Sequence, residues 1–199
     1  MKNLLLAFTL LFAALTAQAQ DISLLPPVKK GGKPLLETIS ARHSERSYVK
    51  KDMSPQMLSN LLWAAYGYNR FGQRTIATAY GRQEMDIYVV LDNGAYVYDA
   101  NAHALQLVTK GDARGGLGQS GVSNAAALSI VMVADTNKSS LDYARIATGS
   151  ISQNIYLFAA SEGLGTVARG SFDAKELAKA LKLESHQAIT LVQPVGFLK

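Results

Sequence analysis

The chain has 199 residues, no cysteine, and a formal charge of +5 from 20 basic and 15 acidic residues. Without cysteine there are no disulfide staples, so a chain of this length has to rely on one buried core. The positive balance is too diffuse to read as a nucleic-acid surface and fits small anionic ligands better.

Lys2 precedes an apolar run from Leu4 to Leu15, and Ala17-Gln18-Ala19 follows with the small-x-small pattern that signal peptidases cut after. Twelve residues fall short of the roughly 20 needed to span a bilayer, so residues 1–19 are predicted to be a cleavable signal peptide of an exported, periplasmic or secreted protein. Nineteen of 199 removed leave 180 residues, and losing Lys2 lowers the charge from +5 to +4. Residues 20–33, with Pro26-Pro27, Lys29-Lys30 and Gly31-Gly32, read as an extended lead-in, because proline and glycine interrupt regular structure. One domain is then expected over 34–199.

Leu35, Leu36 and Ile39 mark one face of a short first helix. Ser54-Pro55 supplies an N-cap and a first-position proline, and Leu58, Leu61, Leu62 and Ala65 follow at helical spacing up to Gly67. Ile87 to Leu91 and Tyr96 to Tyr98 are β-favouring runs joined at Asp92-Asn93-Gly94, which predicts a hairpin. The continuous apolar run Leu128 to Ala134 suits a strand buried on both faces. Tyr143 to Ser161 is the longest predicted helix, with Ala144, Ala147, Ile151, Ile155 and Phe158 on one side and a stop at Gly163-Leu164-Gly165. A strand at Thr166 to Ala168, a helix from Ala174 to Leu181 capped by Asp173, and a strand around Ala188 to Val195 complete the order. Antiparallel pairing mixed with helical crossovers predicts an α+β fold with a central, mostly antiparallel mixed sheet flanked by helices.

Arg42-His43-Ser44-Glu45-Arg46 sets two guanidinium groups four residues apart around a hydroxyl. Arginine meets the oxygens of a phosphate monoester with paired, charge-assisted hydrogen bonds. Taken alone, the pentapeptide also fits a solvated mixed-charge loop, and composition does not decide between the two.

Four segments in order resemble the nitroreductase superfamily, in register from about Leu36 to Lys199. Arg42 to Tyr48 resembles its opening Arg-x-Ser-x-Arg signature, and Leu58 to Arg70 looks like the next helix and loop. Arg74 to Glu84 is similar to the flavin-contacting loop before a strand. Ser152-Gln153-Asn154 through Asp173 looks like the long dimer helix and the turn at the flavin edge. The resemblance implies a nitroreductase-like homodimer with FMN at the subunit interface, passing electrons through the flavin N5 from NAD(P)H to a planar, electron-poor small molecule such as a nitroaromatic or quinone. It implies that the flavin carries the redox step while the protein positions and tunes it, so no side chain is assigned as catalytic.

By the same resemblance, Arg42, Ser44 and Arg46 would hold the phosphate and ribityl chain, with His43 beside the ring. Thr78, Ala79, Gly81 and Gln83 would face the ring, Arg169, Gly170 and Ser171 the N5 and O4 edge, and Lys199 the phosphate. The second motif usually reads Pro-Ser-x-x-Asn-x-Gln; here Ala77 and Thr78 replace the first two residues and Gly81 stands for the asparagine. Thr78 keeps the hydroxyl, whereas Gly81 offers no side-chain amide. The tract Leu61 to Asn69 is similar as well to the branch that oxidises azoline rings in modified peptides. A flavin-binding protein without turnover is the reading from a different class.

Gly116-Leu117-Gly118-Gln119-Ser120-Gly121 satisfies Gly-x-Gly-x-x-Gly, but Lys110 to Arg114 ahead of it is polar and turn-like, so a flexible loop is expected instead of a dinucleotide site. The three histidines are scattered and no cysteine is present, so no metal site is expected. Ser152-Gln153-Asn154 interrupts an apolar helix and reads as hydrogen bonding across a dimer seam or as part of a substrate pocket.

Overall fold

The computed structural model describes residues 20–70 and 72–199. The predicted signal peptide lies outside the described residues. Among those described, no helix is long and apolar enough to cross a membrane.

The lead-in is extended, and it is also built into the fold. Its first residues form strand β1 (Ile22–Ser23) on the edge of the sheet. The rest runs across two helices: the Val28 amide donates to Asn60 Oδ1 at 2.8 Å and the Lys33 amide to Ser161 Oγ at 2.9 Å. Helix α1 (Leu35–Ala41) follows, then β2 (Tyr48–Val49). Helix α2 (Pro55–Tyr66) starts as expected, with Ser54 accepting from the Met57 amide and Leu58, Leu61, Leu62 and Ala65 buried along one side. A small hairpin, β3 (Tyr68–Arg70) and β4 (Gln73–Arg74), leads into β5 (Met85–Val90), β6 (Gly94–Asp99) and β7 (Ala104–Lys110).

A short helix α3 (Ser120–Ser123) precedes β8 (Leu128–Asp135), in which every residue from Leu128 to Ala134 is buried. Helix α4 (Leu141–Glu162) is capped by Ser140 and closed by Gly163 at φ 72°, a left-handed position that glycine takes without steric cost. β9 (Leu164–Thr166), α5 (Ala174–Ala180, capped by Asp173) and β10 (Gln187–Leu198) end the chain.

The main sheet runs β1-β7-β6-β5-β8-β10-β2, with β9 also paired to β10, and every strand pair among the described residues is antiparallel. One face is covered by α2 and α4, which bury Leu61, Leu62, Ile151 and Ile155 against Ile87, Ile130 and Met132. The other face packs Tyr88, Val131 and Val192 against Leu117, Leu177 and Leu181. Residues of β8 therefore meet a hydrophobic layer on both sides, which is why its sequence does not alternate.

The last strand is longer than its apolar stretch indicates. It pairs with β8 from Gln187 to Val195, and its final residues, Val195 to Leu198, are shared with β9 and β2. That extension brings the chain terminus to the loop between α1 and β2.

Candidate functional site

Two of the four sequence signatures, with Lys199, meet at the far end of β10. Leu198 pairs with Tyr48, so Lys199 follows at the point where the segment entering β2 carries Arg46 and Ser47. Phe197 pairs with Leu164, and three residues beyond β9 Arg169 bridges back to Val192. Arg42, His43, Ser44, Arg46, Arg169, Gly170, Ser171 and Lys199 are thus gathered by strand pairing.

Tyr156 of α4, which sequence reasoning did not single out, joins two of these segments. Its hydroxyl lies 2.9 Å from Ser44 Oγ and accepts from the Ala168 amide at 2.9 Å. The Arg42 guanidinium lies 5.0 Å from the centre of the same ring, a cation–π distance. Within the pentapeptide, Glu45 turns its carboxylate onto the amides of Arg46 and Ser47, at 2.6 and 2.8 Å. These two bonds, with His43 and Arg46 nearby, hold the carboxyl below its ordinary range. His43 is exposed, with Nδ1 2.9 Å from the Ala41 carbonyl.

Arg169 is buried in the fold. It is 6% exposed; Nη1 donates to Ser123 Oγ at 2.7 Å, Nη2 donates to the Ser171 carbonyl at 3.1 Å, and Nε is buried without a partner. Burial lowers its basicity, and the nearby Arg46 charge acts in the same direction. Among the described residues, none of Arg42, Arg46 and Arg169 has a carboxylate within 4 Å. Burying a charge without a counter-ion is unfavourable. Arg169 meets that condition, and with half-buried Arg42 and exposed Arg46, likewise without a carboxylate, it makes up a candidate anion site.

The glycine-rich stretch serves this arginine. Ser123 Oγ donates to the Gly118 carbonyl, and a Cβ on Gly118, at φ 67°, would stand 3.3 Å from Arg169 Nη2. A Cβ on Gly116 would stand 2.6 Å from the Leu177 amide. The stretch is consequently a packed loop, not the flexible one expected from sequence, and its glycines permit close approach to α5 and Arg169.

Thr78, Ala79, Gly81 and Gln83 lie elsewhere, at the start of β5. Tyr80 of this loop meets Tyr143 edge-to-face at 6.0 Å, near the first turn of α4, whereas Ser44 meets Tyr156 near its last. Thirteen helical residues separate those contacts by about 20 Å. Tyr80, Gly81 and Gln83 all have positive φ (54°, 67° and 50°), and no atom would contact a Cβ on Gly81. Asparagine and glycine both tolerate that backbone region, so Gly81 keeps the turn while losing the amide. The Gln83 side chain accepts from Tyr68 Oη and Arg74 Nε and donates to the Gly72 carbonyl, tying the loop to the β3–β4 hairpin. In the interrupted stretch of α4, Asn154 donates to the Ala64 carbonyl and the Ser152 carbonyl accepts from Gln193, while Gln153 is exposed.

The nitroreductase family model matches residues 39–197, spanning all of these segments. The chain belongs to the nitroreductase family. A nitroreductase-type protein from Ralstonia eutropha has a crystal structure that superposes with a TM-score of 0.84 at 32% identity, covering 94% of this chain and 93% of that one. A protein of Methanocaldococcus jannaschii classed with the nitroreductases is 26% identical over 180 residues, 81% of this chain and 90% of the relative. The Escherichia coli microcin synthetase McbBCD complex contains a chain of the same fold, with a TM-score of 0.69 at 17% identity, covering 88% of this chain and 78% of that one. This nitroreductase-family chain is an oxidoreductase, and its sheet and flanking helices are those of the family.

Proposed function

We propose that the protein is an exported, FMN-dependent oxidoreductase acting as a homodimer, taking electrons from NAD(P)H and delivering them to a planar, electron-poor acceptor such as a nitroaromatic or a quinone. The observation that carries the reading is the set of guanidinium groups of Arg42, Arg46 and Arg169, gathered without a carboxylate partner, one of them with a buried and unpartnered Nε. That donor set fits a phosphate monoester and the electron-rich edge of a reduced ring.

Arg42 and Arg46 would bind the phosphate with Lys199 beside them, and Ser44, oriented by Tyr156, would bind the ribityl chain. The backbone of Gly170 and Ser171, both exposed, would face the ring edge, with Arg169 behind it lending positive charge. FMN supplies the two-electron chemistry that no side chain here offers.

Dimerisation is supported by what one protomer leaves uncovered. Leu35 (63% exposed), Leu36 (79%), Ile39 and Ile146 (68%) present an apolar surface, as does Tyr80 at 81%. The loop of Thr78 to Gly81 also sits too far from its own Arg42 to share a ligand with it, so a second copy would have to bring the two motifs together.

The test is the absorbance spectrum of the purified protein, followed by anaerobic addition of NADH or NADPH. Bound flavin that bleaches saturably with either nucleotide supports the proposal. A dimer that neither retains nor takes up FMN overturns it, and flavin that no nucleotide bleaches reduces it to a flavin carrier. Amino-terminal sequencing of exported material checks the cut after Ala19.

A further inference from the structure

A cavity lies apart from the anion grip. It encloses about 670 Å³ between the lead-in, α1, α2 and α4, within the size range of small-molecule sites. Neither Arg42 to Arg46 nor Arg169 to Ser171 lines it.

Trp63, Leu157 and Phe158, all half-buried, form an apolar stretch of its wall, beside polar side chains that include Asn60, Asn69 and Asn154. Thr75 lines it, and its Oγ1 is buried without a hydrogen-bond partner. Its rim is cationic. Lys29, Lys30 and Lys33 all contribute against the single carboxylate of Glu162, and among the described residues none of the three lysines pairs with an acid within 4 Å. Lys29 Nζ stands 5.4 Å from the Trp63 ring centre, and Lys33 Nζ donates to the Ala160 carbonyl at 3.4 Å.

The rim is shaped by backbone. Gly31 and Gly32 have φ of 103° and 82°, and a Cβ on Gly32 would come within 2.6 Å of Ser161 Oγ. These glycines turn the strand so that lysines from both sides of them edge one opening.

We propose that the cavity is a binding site for a planar aromatic anion, a ring carrying a carboxylate or sulfonate. The ring stacks in the Trp63 and Phe158 wall and the acid group meets Lys29 and Lys30 at the mouth. The ring surfaces of Trp63 and Phe158 offer a planar ligand contact that an inorganic anion cannot use, and a rim with three ammonium groups and one carboxylate favours a negative ligand over its neutral isostere.

Trp63 is the sole tryptophan of the chain, so its emission reports on this cavity alone. The probe is 4-nitrobenzoate and the control is its neutral isostere 4-nitrobenzamide, titrated into the full-length protein. The expected result is saturable quenching by the acid, weakened about tenfold in a Lys29→Gln/Lys30→Gln variant and again by high salt, with the amide little affected. Both lysines are exposed, so the variant keeps the fold. Quenching that is linear, equal for the two probes, or unchanged in the variant overturns the proposal. Competition by FMN would also overturn it, by placing the cavity within the flavin site. The readout needs neither flavin nor turnover, so its failure leaves the proposed oxidoreductase reading standing, and the converse holds.

Discussion

Replacing Arg42 with alanine separates a phosphate grip from a solvated loop. The guanidinium stacks on Tyr156 at 5.0 Å and pairs with no carboxylate among the described residues, so its removal strands no buried acid. The fold should lose about 0.5–1 kcal/mol of cation–π attraction at most. A charge-assisted contact to phosphate is worth about 1.5–3 kcal/mol, or roughly 10- to 100-fold in Kd. The assay is quenching of free flavin fluorescence on titration with wild type and with Arg42→Ala, run in parallel with FMN and with riboflavin, which lacks the phosphate. FMN affinity should fall by that factor, while riboflavin affinity changes by less than about threefold. Equal losses for both flavins, or none for FMN, would refute the assignment of Arg42 to the phosphate.

Leu36→Glu, which places a charge on the exposed apolar face of α1, should convert a dimer to a monomer in sedimentation velocity with an unchanged far-ultraviolet spectrum. The two outer glycines of the Gly-x-Gly-x-x-Gly stretch should behave oppositely. Gly116→Ala pushes a methyl to 2.6 Å from the Leu177 backbone and should cost about 1–3 kcal/mol in urea unfolding. Gly121→Ala meets no atom within 4 Å in a helical turn and should be neutral or stabilising by up to about 1 kcal/mol. A nucleotide-binding role for the motif would instead predict that neither change affects the ligand-free fold.

His103 sits between Ser59 Oγ (2.8 Å) and Tyr98 Oη (2.9 Å), and burial lowers its affinity for a proton below the ordinary value of 6.5. In the window between that ordinary value and the lower folded one, the unfolded chain takes up a proton that the folded chain refuses. Its contribution is therefore complete above about pH 6.5 and lost as the pH falls through that window. The urea midpoint should drop on acidification from pH 7.5 to 5.5 by more in wild type than in His103→Gln. Parallel pH profiles would count against the assignment.

Helices α2 and α4 were legible because a hydroxyl cap, a periodic apolar face and a glycine stop agree in each. β8 was legible because burial on both faces leaves an unbroken apolar run. β7 was missed, although Leu105 and Leu107 alternate with polar neighbours, because Ala104–Lys110 lacks the strong β-branched signature of β8. β1 and β2 are two residues each and exist only through their partners, Leu105 and Ala104 for one, Phe197 and Leu198 for the other. Local sequence carries no sign of such pairings.

The same distinction holds in the site. Arg42, Ser44 and Arg46 could be named from their spacing and family likeness. The bridge from Tyr156 to Ser44 spans 112 residues and the one from Ser123 to Arg169 spans 46. Those arise from topology, and neither tyrosine nor serine announces them. Arg169 could be named too, but its burial depends on how the Gly116–Ser123 loop folds over it.

The far end of β10 also sets an order of events. Its pairing of Leu198 with Tyr48 closes a loop of most of the chain, whereas the β5–β6 hairpin closes across a few residues. Long closures cost more entropy and tend to form after local ones. The anion grip is therefore expected to be among the last features to assemble, on a sheet already built. An anion that binds only the finished grip would then act on the final step, slowing its reopening more than it speeds the collapse before it.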